Sequence, residues 1–324
     1  MVIVMEPGAT PAMMESVIAA LHGFGFDVHR SSGDAQVVLG AIGVQPGFDV
    51  RPVEALIGVA EVHRVTHPCR LSTRAYHAED SVVNVGGVPV GEGHPFVLAI
   101  SPAPGFPAHL AAREGHGAGA QWMSSGVHLP GVTGWSEGDR DALLEAAAQY
   151  AMPVLVEVTS REEVHWAQSR TQGLLLGPTT MHRSGLLRLA GETGLPVFVY
   201  RDASASIVQW LAAADRVLET GNTAVVLVES GIRTFEPTTH RTLDLSAIPA
   251  LKARSHLPIL ADPTLCSGHA RTLAALARGV AAAGADGVLF SLFGPHEAQE
   301  LSLRDTLHPL PRLSALVRSV SSAI

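Results

Sequence analysis

The chain has 324 residues, 47% hydrophobic and 16% charged, with a formal net charge of −8 when histidine is neutral. That balance suits a compact α/β protein. It excludes disorder and the basic footprint of a nucleic-acid binder, and, since every apolar run is broken by Gly, Pro or charge, a membrane span. Cys69 and Cys266 lie too far apart in sequence to suggest a disulfide framework, so a reducing cytoplasm is expected. The N-terminal MVIVMEPGATP reads as carrying no signal peptide. The 16 histidines are scattered without HExxH or CxxC spacing, so no metal or other cofactor is expected.

Residues 1–66 read as a small α+β unit. Val2 to Met5 is an apolar strand. Pro11 to Gly23 is a helix with Met14, Val17, Ile18 and Leu21 at the helical period, ended by Gly23 and Gly25. Asp27 to Arg30 and Val37 to Ile42 are strands, Val53 to Ile57 a short helix, and Val59 to Val65 a last strand. The order β-α-β-β-α-β is ferredoxin-like. Its strand edges and apolar helix face are expected to pack between subunits. Residues 67–94 are a linker with a hairpin signal, Val82 to Val85, Gly86-Gly87, then Val88 to Val90, placed to plug the N-terminal mouth of a barrel.

Residues 95–324 alternate apolar strands with helical segments. The strands are Phe96–Ile100, Gln121–Ser124, Val154–Val158, Gly173–Leu176, Val197–Arg201, Ala224–Glu229, Ile259–Ala261 and Gly287–Leu292, three of them preceded by Pro153, Pro196 and Pro258. Eight near-equal units without a longer break predict a (β/α)8 TIM barrel over an open doubly wound sheet, so the fold class is α/β. The site is then expected at the C-terminal strand ends. Those carry Ser101 and Ala103, Ser124 to His128, Glu157, Pro178 to Thr180, Tyr200, Arg201, Glu229, Ser230, Asp262 to Cys266 and Ser291 to Phe293.

Several stretches closely resemble the type I-beta 3-deoxy-D-arabino-heptulosonate 7-phosphate (DAHP) synthases. They are Gly231-Ile232-Arg233-Thr234-Phe235-Glu236, Thr242 to Pro249, His256-Leu257-Pro258-Ile259 leading to Asp262-Pro263, and Ala283-Gly284-Ala285-Asp286-Gly287. Met5 to Thr10 resembles the start of that family's ferredoxin-like domain. The resemblance implies a barrel with a regulatory-type N-terminal domain in a homo-oligomer, a dimer or more usually a tetramer. It also implies condensation of phosphoenolpyruvate with erythrose 4-phosphate, the opening step of the shikimate pathway. A divalent metal on Cys, His, Glu and Asp, and phosphates held by Arg and Lys, belong to the same pattern.

Aligned with that pattern, the metal-ligand positions fall on Ala103, Leu265, Ser291 and about Leu303. The phosphate-binding Arg-Gly-Gly-Ala-Phe-Lys-Pro-Arg-Thr falls on Ser124 to Val132, Gly-Ala-Arg-Asn on Gly177 to Thr180, Leu-Lys-Arg-Gly on Val199 to Asp202, and Cys-Glu-Arg-Gly on Val228 to Gly231. Losing these cationic partners costs on the order of 10 kcal/mol of binding, at about 1.5–3 kcal/mol for each charge-assisted bond and allowing for non-additivity. The alignment therefore predicts a divergent member with no measurable DAHP synthase activity.

The expected catalytic set is Glu157, Glu229, Asp262, His128 and Cys266; the expected substrate-binding set is Arg201, Tyr200, Ser124, Thr179, Thr180, Arg233 and Ser291. Each has a structural alternative. Glu157, Glu229 and Asp262 are acid/base groups or structural acids. Arg201 holds a substrate carboxylate or pairs with Glu229 or Asp262. Arg233 touches ligand or pairs with Glu236. Cys266 is a nucleophile activated by a helix near Gly268, or a small buried thiol. His128 and His182 are acid/base groups or solvated loop histidines. Tyr200, Trp122, Trp135, Leu129, Leu265 and Phe293 make the mouth more apolar.

Three readings stay open. The first is a repurposed metal-free enzyme acting by acid/base chemistry on a small carboxylate or carbonyl compound. The second is a non-catalytic relative partnering an active synthase or a chorismate mutase. The third is an active DAHP synthase with shifted ligands.

Overall fold

The computed structural model describes residues 1–32, 37–42, 44, 48–63, 69–102, 106–127, 135–236, 239, 241–266 and 270–292. They fall in two compact units, Met1–His67 and Pro68–Ile324. The first runs β1 (Val2–Met5), α1 (Pro11–Gly23), β2 (Asp27–Ser32), β3 (Val37–Ile42), α2 (Arg51–Glu54) and β4 (Val59–His63). Its antiparallel sheet has the order β2-β3-β1-β4, the expected ferredoxin-like arrangement. Thr10 caps α1, with Pro11 in the first turn where a missing N–H costs nothing. Met14, Val17 and Leu21 turn inward onto Ile3, Met5 and Leu39. The second helix lies earlier than the predicted Val53–Ile57, because Pro52 fits the first turn of a helix and so draws the start to Arg51.

The second unit opens with the hairpin β5 (Val83–Val85) and β6 (Val88–Val90). Gly86 and Gly87 both have positive φ, 57° and 91°, as a two-residue turn of this hand requires. The barrel follows as β7 (Val97–Pro102), α3 (Ala108–Gly117), β8 (Trp122–Ser124), α4 (Glu137–Ala148), β9 (Val154–Glu157), α5 (Arg161–Gln168), β10 (Gly173–Leu176), α6 (Ser184–Glu192), β11 (Val197–Tyr200), α7 (Ile207–Leu218), β12 (Val225–Glu229), α8 (Ala247–Lys252), β13 (Ile259–Ala261), α9 (Ala270–Ala282) and β14 (Gly287–Leu292). The eight strands β7 to β14 form one closed parallel barrel, shut where β14 pairs with β7. Pro153, Pro196 and Pro258 stand just before β9, β11 and β13; each lacks an N–H, but its carbonyl accepts from the neighbouring strand.

Val83, Val85 and Val90 of the hairpin pack with Val97, Leu155, Leu175, Phe198, Val226 and Leu289 inside the barrel. A Cβ on Gly86 would stand 2.6 Å from Pro153, the residue before β9, so the hairpin tip sits at the N-terminal end. The segment before the hairpin is tied to α7 through Asp215, whose carboxylate accepts backbone N–H groups from Arg70, Leu71 and Ser72. These contacts occupy one end of the barrel and leave the C-terminal strand ends for chemistry.

Candidate active site

Barrel strands are buried on both faces, so the two-residue period decides which strand-end side chains enter the lumen. The lumen core contains Val97, Ala99, Trp122, Leu155, Leu175, Phe198, Val228 and Leu260. In step with these, one layer toward the C-terminal ends, come Ser101, Ser124, Glu157, Gly177, Tyr200 and Asp262. The five among them with side chains are buried. The Tyr200 phenol is pushed well above its ordinary value by burial, then by Asp262 and Glu157, as expected when both carboxylates share its surroundings. Gly177 makes room for this group: a Cβ there would lie 2.2 Å from Glu157 Oε1.

Arg201 and Glu229 have the opposite parity, following Val197, Val199, Val225 and Leu227, which pack with the surrounding helices. Arg201 Nη1 donates to Glu229 Oε2 at 2.9 Å and to Asp244 Oδ2 at 3.0 Å, and Nε donates to Ala205 O at 3.0 Å. The guanidinium also lies 5.8 Å from the Trp210 ring centre. Glu229 Oε1 accepts from the Gly231 N–H at 2.8 Å. Burial pushes the Glu229 carboxyl up, with Arg201 pulling against it. Arg201 is thus ion-paired with Glu229, and its second partner is Asp244 rather than Asp262. Asp244 could have been found in the family-like stretch Thr242 to Pro249.

Cys266 ends a 3-10 turn, Thr264–Cys266, with Sγ 3.7 Å from Ser230 O. Burial, then Asp262 and Glu229, push its thiol up to about 12 against the pull of Arg241. A thiol protonated throughout the neutral range gives no support to a nucleophilic role. The helix invoked to activate it starts at Ala270, and residues 267–269 lie outside the described residues.

Ser124 and Ser125 close the turn after β8. Ser124 Oγ accepts from Gly126 N, and Ser125 Oγ accepts from Glu157 N. Thr180 is buried and donates to Gly177 O, whereas Thr179 is exposed. Arg233 is exposed, with its backbone N–H on Ala203 O. His182 Nε2 lies 3.4 Å from Asp202. Ser291 pairs in register with Ser101 through the backbone, but its side chain, like that of Leu265, lies outside the described set. His128, Leu129, Ala103, Phe293 and Leu303 also lie outside the described residues.

Among the described residues no group of three or more His, Cys, Asp and Glu could hold a metal ion. Both Glu229 oxygens are engaged, by Arg201 and by Gly231 N, and Cys266 Sγ lies 3.7 Å from Ser230 O.

The sequence pattern of the DAHP synthetase I family matches residues 131–321, and that of the DAHP synthase ferredoxin-like domain matches residues 1–67. A phospho-2-dehydro-3-deoxyheptonate aldolase from Thermotoga maritima is 30% identical over 313 residues, 94% of this chain and 91% of that protein. A crystal structure of the Thermotoga maritima phospho-2-dehydro-3-deoxyheptonate aldolase (DAHP synthase) superposes with a TM-score of 0.81 at 28% identity, covering 99% of this chain and 96% of the other. A truncated form of the Thermotoga maritima synthase gives a TM-score of 0.70 at 27% identity, over 79% of this chain and 97% of the other.

These findings correct the expectation that the chain had left its family's reaction. Both family patterns match, and the alignment with a protein named for that reaction runs nearly end to end. Neither a repurposed enzyme nor a non-catalytic relative is supported.

Proposed function

Because this chain belongs to the DAHP synthetase I family, we propose that it catalyses the aldolase reaction named for its Thermotoga maritima relative, forming the carbon–carbon bond of phospho-2-dehydro-3-deoxyheptonate at the C-terminal face of the barrel. The near full-length relationship carries the assignment, and the polar cluster on the lumen side of the strand ends supports it. As that bond forms, negative charge develops on the aldehyde oxygen of erythrose 4-phosphate, and a proton donor stabilises it. Tyr200 keeps its proton at neutral pH and is the donor in this lumen layer. Glu157 and Asp262, the carboxylates of the same layer, are the groups to hold or pass a proton. Arg201, Glu229 and Asp244 brace the strand ends from outside.

We also infer that the member is divergent. Ala103, Leu265 and Ser291 stand where the family pattern has metal ligands, and Tyr200 stands where it has a phosphate-binding Lys. The same reading implies small-molecule substrates, a homo-oligomer of two or four copies and a cytoplasmic setting. Among the described residues no helix is long and apolar enough to cross a membrane.

The test is product detection by mass spectrometry with purified full-length chain, phosphoenolpyruvate and erythrose 4-phosphate, with chelator and with added divalent metals in turn. Turnover in any of these conditions is the expected result. No product in all of them would sink the assignment. Metal analysis of the purified chain tests the divergence separately, and a tightly held stoichiometric divalent ion would overturn it.

A further inference from the structure

Three buried polar atoms of the barrel lumen have no hydrogen-bond partner among the described residues: Ser101 Oγ, Trp122 Nε1 and the Tyr200 hydroxyl. The register sets them on the lumen face of the barrel in successive layers. Trp122 pairs with Ala99, and Ser101 lies two residues further along that strand on the same face. Across the barrel the Trp122 ring meets Phe198 edge-on, with centroids 5.7 Å apart and planes at 81°. Tyr200 lies two residues beyond Phe198 on its own lumen face.

Their chemistry is alike. An indole N–H can only donate, and a phenol or a serine hydroxyl can donate without carrying charge. Buried donors in native proteins are satisfied, and leaving several unsatisfied in one apolar lumen is costly. The missing partner is therefore an acceptor. The carboxylates Glu157 and Asp262 share this layer, so an uncharged acceptor fits it better than a phosphate oxygen does.

We propose that Ser101, Trp122 and Tyr200 form a cradle of neutral donors for the uncharged carbonyl oxygen of an aldose substrate. The proposal rests on the aldolase reading above and adds to it the residues that recognise the reacting carbonyl group. None of the three carries a charge, so recognition here does not depend on the sugar phosphate, and an unphosphorylated aldose is bound as well.

Binding of D-erythrose to the full-length chain, followed by calorimetry and tryptophan fluorescence, tests this, with inorganic phosphate as the anionic probe. The wild type is expected to bind D-erythrose. Trp122→Phe, Tyr200→Phe and Ser101→Ala are each expected to weaken that binding about fivefold, as loss of one neutral hydrogen bond does. Their effect on phosphate binding should be small. Tyr200→Phe nearly preserves shape, so its thermal stability should hold; Trp122→Phe removes part of a fully buried ring system and should lower stability, and if it fails to fold Tyr200→Phe carries the test. Absence of D-erythrose binding to the wild type overturns the proposal. So do variants that bind D-erythrose as the wild type does but lose stability, the result expected if ordered water alone fills the lumen. Turnover of phosphoenolpyruvate and erythrose 4-phosphate untouched by all three variants would sink the cradle and leave the aldolase reading standing. D-erythrose binding that the variants weaken, in a wild type without turnover, would do the reverse.

Discussion

A methyl group on Gly177 would stand 2.2 Å from Glu157 Oε1, so the bare backbone after β10 makes room for the carboxylate that ends β9. The backbone at Gly177 is not in the left-handed region, so space is what the position demands. Gly177→Ala is expected to displace Glu157, destabilising the barrel by about 1–3 kcal/mol as overpacking does and lowering turnover about tenfold or more. Gly177→Ala combined with Glu157→Asp, whose shorter acid withdraws from the clash, should recover part of that stability. Urea unfolding of the two single variants and the double variant reads the coupling. Strictly additive losses would refute the steric account.

Arg201 and Glu229 form a buried ion pair extended by Asp244. Arg201→Ala leaves Glu229 buried without its cation and should cost about 3–5 kcal/mol in chemical denaturation. Glu229→Gln removes the buried charge and keeps one acceptor oxygen, for the guanidinium or for Gly231 N, so its cost should be smaller. Equal losses from both variants would show that the charge on Glu229 is not what the arginine answers.

His256 favours its neutral form. Its Nε2–H donates to Leu71 O, and its Nδ1 accepts from Ser81 Oγ, both at 2.8 Å. Burial, opposed by the Leu71 carbonyl and aided by His77 and Arg74, lowers its tendency to protonate below the ordinary 6.5. Below that value the unfolded chain therefore takes up a proton that the folded chain refuses. Stability from this group is full above about pH 6.5 and falls as pH drops toward the folded value. Unfolding measured from about pH 7.5 to about pH 5 should show that loss, and His256→Gln should flatten it. An unchanged slope in the variant would mean that other groups set the acid limb.

Cys266 packs so closely that a Cβ on Gly231 would lie 2.4 Å from its sulfur, and Gly231 has φ 89° besides. With its thiol pushed up to about 12, Cys266 should resist alkylation in the native chain near neutral pH and react only on unfolding. Mass spectrometry after timed iodoacetamide labelling checks this residue by residue. Rapid native labelling of Cys266 would contradict the burial. Gly231→Ala meets both a forbidding backbone and the sulfur, and should destabilise by about 2 kcal/mol or more.

Much of the fold was legible in the residues. The apolar runs from Val97 to Leu292, punctuated by glycine and by Pro153, Pro196 and Pro258, predict eight strands, and the closed barrel has them within a residue or two of the predicted bounds. The ferredoxin-like order of the first unit follows from the helical stripe Met14, Val17, Leu21 between short strands. The site was less legible. Glu157, Tyr200 and Asp262 could be placed at the C-terminal end of the barrel because strand ends are countable. Asp244 was overlooked because its partner lies 43 residues away and comes within reach only when the loop after β12 folds back.

Local spacing, then, settled which segments become strands and helices, and motif resemblance settled the kinship, since both are written along the chain. Which way each strand-end side chain faces was decided only by closure of the barrel. Tyr200 and Arg201 are adjacent, yet one enters the lumen and the other turns outward to Glu229 and Asp244. A parallel strand is apolar on both sides, so its sequence carries no polarity alternation to mark the inner face. Pairing with both neighbours in the closed barrel supplies that choice.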